Sequence, residues 1–359
     1  MARRTHTTWV RRLASFWQSN LYSEQVAKSL QLARVQNLRI EAVSTARLIY
    51  VDNGKVDEYA TWVKDIDFVN ISAAELDNNM YESAEKQYLQ NNAKKAIISF
   101  KKYIESFPKG LHILKVNFYL AQSLFAENLQ SETVPYYTYV IKQAQNEFTE
   151  IALSRLSLVY LEKDNWSEAT PLLERLEKEA DLPQNITFAQ SNLMKGYYAG
   201  KNYKKAVDYA ELVLKNPKLE DRIKSDAYII IARSAIKTNN EEKAREAYAE
   251  VEKIASGELK AEALYYNAYF ENKDGSHRVS NQIVQKIASD YSAYKYWAAK
   301  GLIIMANNYY ELNDAYQATY ILESVIKNFA QFNDVTEEAK TALTKIKTEA
   351  AKTNESVKN

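Results

Sequence analysis

Small and bulky apolar residues return along this chain in one fixed frame. Ala318, in "NDAYQATYILESV", has Ala306 twelve residues before it, Leu322 four after and Val325 seven after. Ala244 is flanked in the same way by Ala232, Tyr248 and Val251, Ala206 by Met194, Ala210 and Val213, and Ala169 by Ser157, Leu173 and Leu176. Thr133 has Ala121, Tyr137 and Val140; Ala96 has Ala84, Phe100 and Tyr103; the loosest match, Ser280, has Ala268, Val284 and Ile287. The landmarks fall at 96, 133, 169, 206, 244, 280 and 318, so the steps are 37, 36, 37, 38, 36 and 38.

The frame predicts paired helices. Two small residues twelve apart, across a polar turn such as "AGKNYKK" or "KTNNEEK", let two antiparallel helices approach closely. The bulky residues four and seven positions later share one helical face and fill the space beside that contact. Pro108, Pro183 and Pro217 stand where second helices should stop. Pro135 and Pro171 fall two residues after a landmark, where caps at Ser131 and Ser167 would put them among the first four helical residues, which need no intrahelical acceptor. Upstream, Leu48 and Ala60 hold the twelve-residue relation across "VDNGK" and predict a degenerate first pair within 21–70. Downstream, Val335, Ala339, Leu343 and Ile346 form a stripe in a last charged helix, expected at 333–351 as a solubilising cap, with a frayed tail at 352–359.

The spacing resembles the tetratricopeptide repeat family, whose helix-turn-helix unit carries small residues at its eighth and twentieth positions. "NLMKGYYAGKNYKKAVDYAELVLKNP", Asn192 to Pro217, is the best match, with Tyr197, Tyr203, Ala206 and Pro217 in place. The resemblance covers 71–332 in seven repeats, each longer than the family's usual repeat of about 34 residues. It implies an all-α fold: a right-handed α-solenoid of about eight helix pairs with a C-terminal capping helix. The order of "SNLMKGYY", "IIIARSAIKT", "ALYYNAYF" and "QATYILESVIKNF" is similar to the C-terminal part of large bacterial envelope repeat proteins, which implies a periplasmic or envelope setting.

Composition agrees with helices joined by short turns. Gly occurs 7 times and Pro 5 times in 359 residues, too few for hairpin-rich folds. The net charge of +1 gives no whole-chain attraction for nucleic acid. The absence of Cys removes disulfides, thiolate metal sites and cysteine nucleophiles. No 18-residue apolar run occurs, so no transmembrane segment is expected, and the start lacks the apolar core of a signal peptide. Residues 1–20, "MARRTHTTWVRRLASFWQSN", are basic and aromatic. They read as a disordered leader or as an anchor, and through them alone would the chain touch a membrane.

Catalysis needs convergent titratable groups, and the frame supplies none. His6, His112 and His277 are kept apart, and no phosphate-loop, zinc-protease or serine-elbow motif occurs. The chain is therefore expected to be no enzyme, with no cofactor, catalytic or metal site, binding another protein or peptide segment. In the family that the chain resembles, first helices line the concave face at positions fifteen, eleven and eight before the landmark. Carried onto this chain, the partner-binding residues are Tyr81, Tyr88, Phe118, Phe125, Lys195, Tyr198, Arg233, Tyr265, Tyr269, Asn307 and Tyr310. Tyrosine suits peptide recognition because it combines apolar area with a hydrogen-bonding tip. In the doubled pair, Tyr309 is expected in the core and Tyr310 in the groove. The alternative function is a membrane-surface-tethered spacer in which residues 1–20 do the binding.

Overall fold

The computed structural model describes residues 36–53, 55–66 and 72–356. The leader at 1–20 lies outside the described residues. Among the described residues every regular element is a helix, and two compact units divide after Asn165. Unit 1 holds α1 (Gln36–Asp52), α2 (Val56–Lys64), α3 (Ala73–Leu89), α4 (Ala93–Ser106), α5 (Ile113–Ala126), α6 (Gln130–Lys142) and α7 (Thr149–Leu161). Unit 2 begins with α8 (Trp166–Glu179), α9 (Pro183–Ala199), α10 (Tyr203–Leu214), α11 (Asp221–Lys237) and α12 (Glu241–Ile254). It ends with α13 (Gly257–Lys273), α14 (His277–Asp290), α15 (Lys295–Glu311), α16 (Ala315–Asn328) and α17 (Asn333–Ser356). Within each unit, successive helices pack in pairs, and each second helix packs on the first helix of the next pair. This is the all-α arrangement of successive helix pairs that the repeat frame predicts. No helix among the described residues is long and apolar enough to cross a membrane.

The repeat frame is the core. Every landmark, its partner twelve residues before and its partners four and seven after are 0–3% exposed. In unit 1, Tyr81, Phe100, Tyr103, Leu120 and Leu124 form one cluster. At the end of unit 2, Ile303, Leu322, Val325, Val335 and Ile346 form another, so the predicted stripe of the last helix does seal against its neighbours. That helix runs to Ser356, beyond the 351 expected from its stripe.

Turn chemistry follows the same frame. Asn91, Asn128, Asp164, Lys201, Asn239 and Asn313 have φ between 51° and 65°, Gly275 has φ 78°, and each stands five residues before a landmark. A left-handed residue there ends the first helix, and the next N–H closes the turn. Asn92 N–H donates to the Gln87 carbonyl at 2.9 Å, and Asp314 N–H to the Tyr309 carbonyl at 2.8 Å. That same residue then opens the second helix: the Asn202, Asn240 and Asp314 side chains accept from Lys205, Lys243 and Gln317 N–H groups at 3.3, 3.2 and 3.0 Å.

Three local expectations need correction. Leu48 is 56% exposed, so it is no core partner of Ala60. Lys55 N–H donates to the Tyr50 carbonyl at 2.9 Å, the same closing bond, which sets the landmark four residues on at Tyr59. Tyr59, Val63 and Ile66 are buried there, and Tyr59 lies 37 residues before Ala96. A bulky landmark hid the register, because its ring fills the gap that two small residues otherwise close. Next, α6 and α8 begin at Gln130 and Trp166, which makes Pro135 and Pro171 their sixth residues. The helix caps follow the left-handed turns and therefore precede Ser131 and Ser167. Finally, Pro183 opens α9 as its first residue, where its missing N–H costs nothing.

One loop shows how a polar core group fixes the chain path. Buried Asp77 accepts from the Tyr103 hydroxyl and, at 2.7 Å, from Leu111 N–H, while His112 N–H donates to Tyr103 Oη at 3.1 Å. Gly110 passes so close that a Cβ would fall 2.8 Å from Asp77 Oδ2 and from Phe107 Cβ.

Candidate functional site

First helices carry the expected partner-binding residues, and the structure sorts them by position. Fifteen residues before the landmark, Tyr81, Phe118 and Tyr265 are only 5–7% exposed. They are packing residues: Tyr81 stacks on His112 at 4.0 Å and Phe118 on Phe148 at 4.3 Å, while Tyr265 lies 5.4 Å from Trp297. Eleven before it, Lys195 and Arg233 are half-buried, and Tyr269 and Asn307 are exposed. Eight before it, Tyr88, Phe125, Tyr198 and Tyr310 are all half-buried. Two of the three positions thus keep surface that no core contact uses.

Cations on this face of unit 2 are held between neighbouring helices. Lys195 on α9 pairs with Asp226 on α11, and Lys300 on α15 pairs with Glu338 on α17. Arg233 on α11 grips Glu262 on α13 through two bonds, Nε to Oε1 at 2.8 Å and Nη2 to Oε2 at 2.5 Å. Glu262 is 2% exposed and also accepts from Tyr248 Oη at 3.1 Å. These bonds raise the Arg233 pKa, so its charge is fixed at any ordinary pH. Burial raises the Tyr198 pKa, with the Arg233 charge acting against it, so the Tyr198 hydroxyl remains a neutral donor beside Arg233.

Asn307 and Tyr310 come together in a cleft of about 520 Å³ between α15 and α17. Ile303 and Ile346 give it apolar walls, and Glu311, Thr341 and Lys345 line it as well. Asn272 and His277 close one side, both bonded to the side-chain oxygen Oδ1 of buried Asn308 at 2.7 and 3.0 Å. Asn308 spends its amide on Ser280 Oγ and Asn281 Oδ1, each at 2.8 Å, so His277 Nδ1 is the donor of its bond. Tyr309, expected in the core, is half-buried like Tyr310, so burial does not divide the pair as the frame predicts. Tyr309 packs on two apolar clusters and Tyr310 on one of them, and the Tyr310 hydroxyl also donates to Glu349 Oε2 at 2.6 Å.

On unit 1, the same face carries flat stacked groups. Tyr88 stacks on Tyr119 at 4.6 Å, and the Arg155 guanidinium lies 4.4 Å over the Phe125 ring. Tyr119 and Arg155 stand fourteen residues before their landmarks, a position that sequence reasoning missed. The signal was present: fourteen lies one helical turn from eleven and so on the same face. Thr341 and Lys345 were missed because α17 was read only as a cap.

Comparison with known proteins gives structural neighbours only. No family model matches the chain, and no curated protein does. A tetratricopeptide repeat protein from Parabacteroides merdae covers 74% of this chain and 98% of its own at 12% identity, with a TM-score of 0.39. The C-terminal part of a repeat-containing protein from Cytophaga hutchinsonii covers 72% and 98% at 12% identity, with a TM-score of 0.49. The repeat domain of P58(IPK) covers 98% and 99% at 13% identity, with a TM-score of 0.34.

Proposed function

We propose that this protein is a non-catalytic scaffold that holds a segment of a protein partner on the face lined by its first helices. One observation carries this reading. At the positions eleven and eight before most landmarks, Tyr88, Lys195, Tyr198, Arg233, Tyr269, Asn307 and Tyr310 keep ring, amide and cationic groups half-buried or exposed, while the small and bulky residues of the frame are sealed. Ion pairs between neighbouring helices hold that face in shape, so little of the binding free energy goes into ordering it. Tyrosine rings then supply apolar area, and their neutral hydroxyls supply donors. An envelope assembly is the setting that the order of sequence segments supports.

The test is capture of partners from separate envelope and soluble extracts with the full chain. Tyr198→Ala combined with Tyr269→Ala should reduce capture from the envelope extract at least several-fold, with helicity and melting unchanged. An identical set of captured proteins for wild type and variant would sink the reading.

A further inference from the structure

We propose that the face of unit 1 around Arg155 is an anion subsite that takes the carboxylate side chain of an acidic residue in the partner segment. The inference rests on the scaffold reading for the segment itself, and on the charges of unit 1 for what the segment carries.

Half-buried arginines among the described residues are otherwise matched. Arg47 holds Glu82, Arg175 holds Glu179, Arg233 holds Glu262, and Arg245 holds Glu241 and Asp274. Arg222 and Arg278 are exposed and need no match. Arg155 is half-buried, its plane is laid on the Phe125 ring, and no carboxylate of the described residues pairs with it. A guanidinium presents five donors in a fixed fork suited to a carboxylate. Stacking on Phe125 orients that fork while using none of the donors.

A second observation points to the same place. Tyr137 is fully buried, and its hydroxyl has no hydrogen-bond partner. Arg155 and Tyr88 are the two charged or titratable neighbours that act on this hydroxyl, which burial keeps neutral and therefore a donor. The Tyr88 and Tyr137 hydroxyls and the Arg155 guanidinium, on α3, α6 and α7, thus act on one another with no carboxylate among them. Glu85 and Glu147, which act on the neighbouring tyrosines, do not fill the role. Glu85 is taken by the Tyr81 hydroxyl, and Glu147 acts on Tyr81 and Tyr119 without pairing with Arg155. Beside the cation, the Tyr88–Tyr119 stack offers an apolar platform for the residues that flank the acid.

The experiment is selection of a displayed library of random segments, inserted within a carrier protein so that none has a free C-terminus, on the full chain. Segments enriched by wild type should share one Asp or Glu position. Changing that acid to its amide should weaken binding about tenfold to wild type and about twofold or less to Arg155→Gln. Arg155→Lys, which keeps the charge and loses the fork, should fall between the two. Circular dichroism and melting of each variant establish that it is folded. Enriched segments without a shared acid, or with an acid preference that survives Arg155→Gln, overturn the subsite while leaving the scaffold reading intact. No enrichment by wild type overturns both.

Discussion

Arginine at two neighbouring kinds of groove position has opposite meanings, and single substitutions separate them. Arg233 neutralises Glu262, which is 2% exposed and among the described residues has Tyr248 as its other side-chain donor. Arg233→Gln leaves an uncompensated buried carboxylate, and such losses cost about 3–5 kcal/mol. Urea unfolding should therefore place Arg233→Gln well below wild type. Arg155→Gln removes a charge that nothing balances, so its stability should lie within about 1 kcal/mol of wild type. Equal losses for the two variants would mean that Arg155 is a structural residue with a protein partner. The sequence distinguishes them poorly, because the acid that matches Arg233 lies 29 residues on and in another helix. Residue type and helical face were legible; the pairing across helices was not.

At the level of the helix pair, what was legible is the buried frame, and the reason is physical. A small-residue contact recurring every 36–38 positions leaves a periodic signal in the letters themselves. Groove positions leave a weaker one, since Tyr81 and Tyr88 look alike in sequence and differ only in what the next pair lays over them. The left-handed turn residue is the clearest case of a rule seen only in the structure. Five of those seven positions carry Asn or Asp, but Lys201 adopts φ 60° and Gly275 φ 78°. A side chain in that conformation costs roughly 1–2 kcal/mol, which glycine avoids. Lys201→Gly should raise stability by about 1 kcal/mol. Gly275→Ala should lower it by a similar amount, although a Cβ at 275 meets nothing within 4 Å. Thermal unfolding of the two variants reads the signs directly; a loss for Lys201→Gly would mean that its side chain makes up for its backbone strain.

Over the molecule as a whole, 27 tyrosines make alkaline pH the condition that tests the packing. Burial raises the Tyr59 pKa to about 12, against 10.0 for the free side chain. Burial likewise pushes up Tyr103, Tyr137, Tyr248 and Tyr265, each 0–7% exposed. Since the folded pKa is raised, the contribution is fully present below pH 10. Above it the unfolded chain releases protons that the folded chain retains, and stability falls as pH rises towards 12. For Tyr59 alone the shift corresponds to an upper value of about 2–3 kcal/mol. Ion pairs made by lysine in general also weaken in this window, whereas Arg233–Glu262 does not, because arginine keeps its proton. Tyr59→Phe separates the two effects, since the Tyr59 ring packs 5.8 Å from Tyr50 and 6.0 Å from Trp62 as a purely apolar surface would. The variant should match wild type in urea at pH 8 and lose less stability between pH 10 and 12. Identical losses for wild type and variant would show that Tyr59 ionises freely in the folded chain, and that the first pair is open to water.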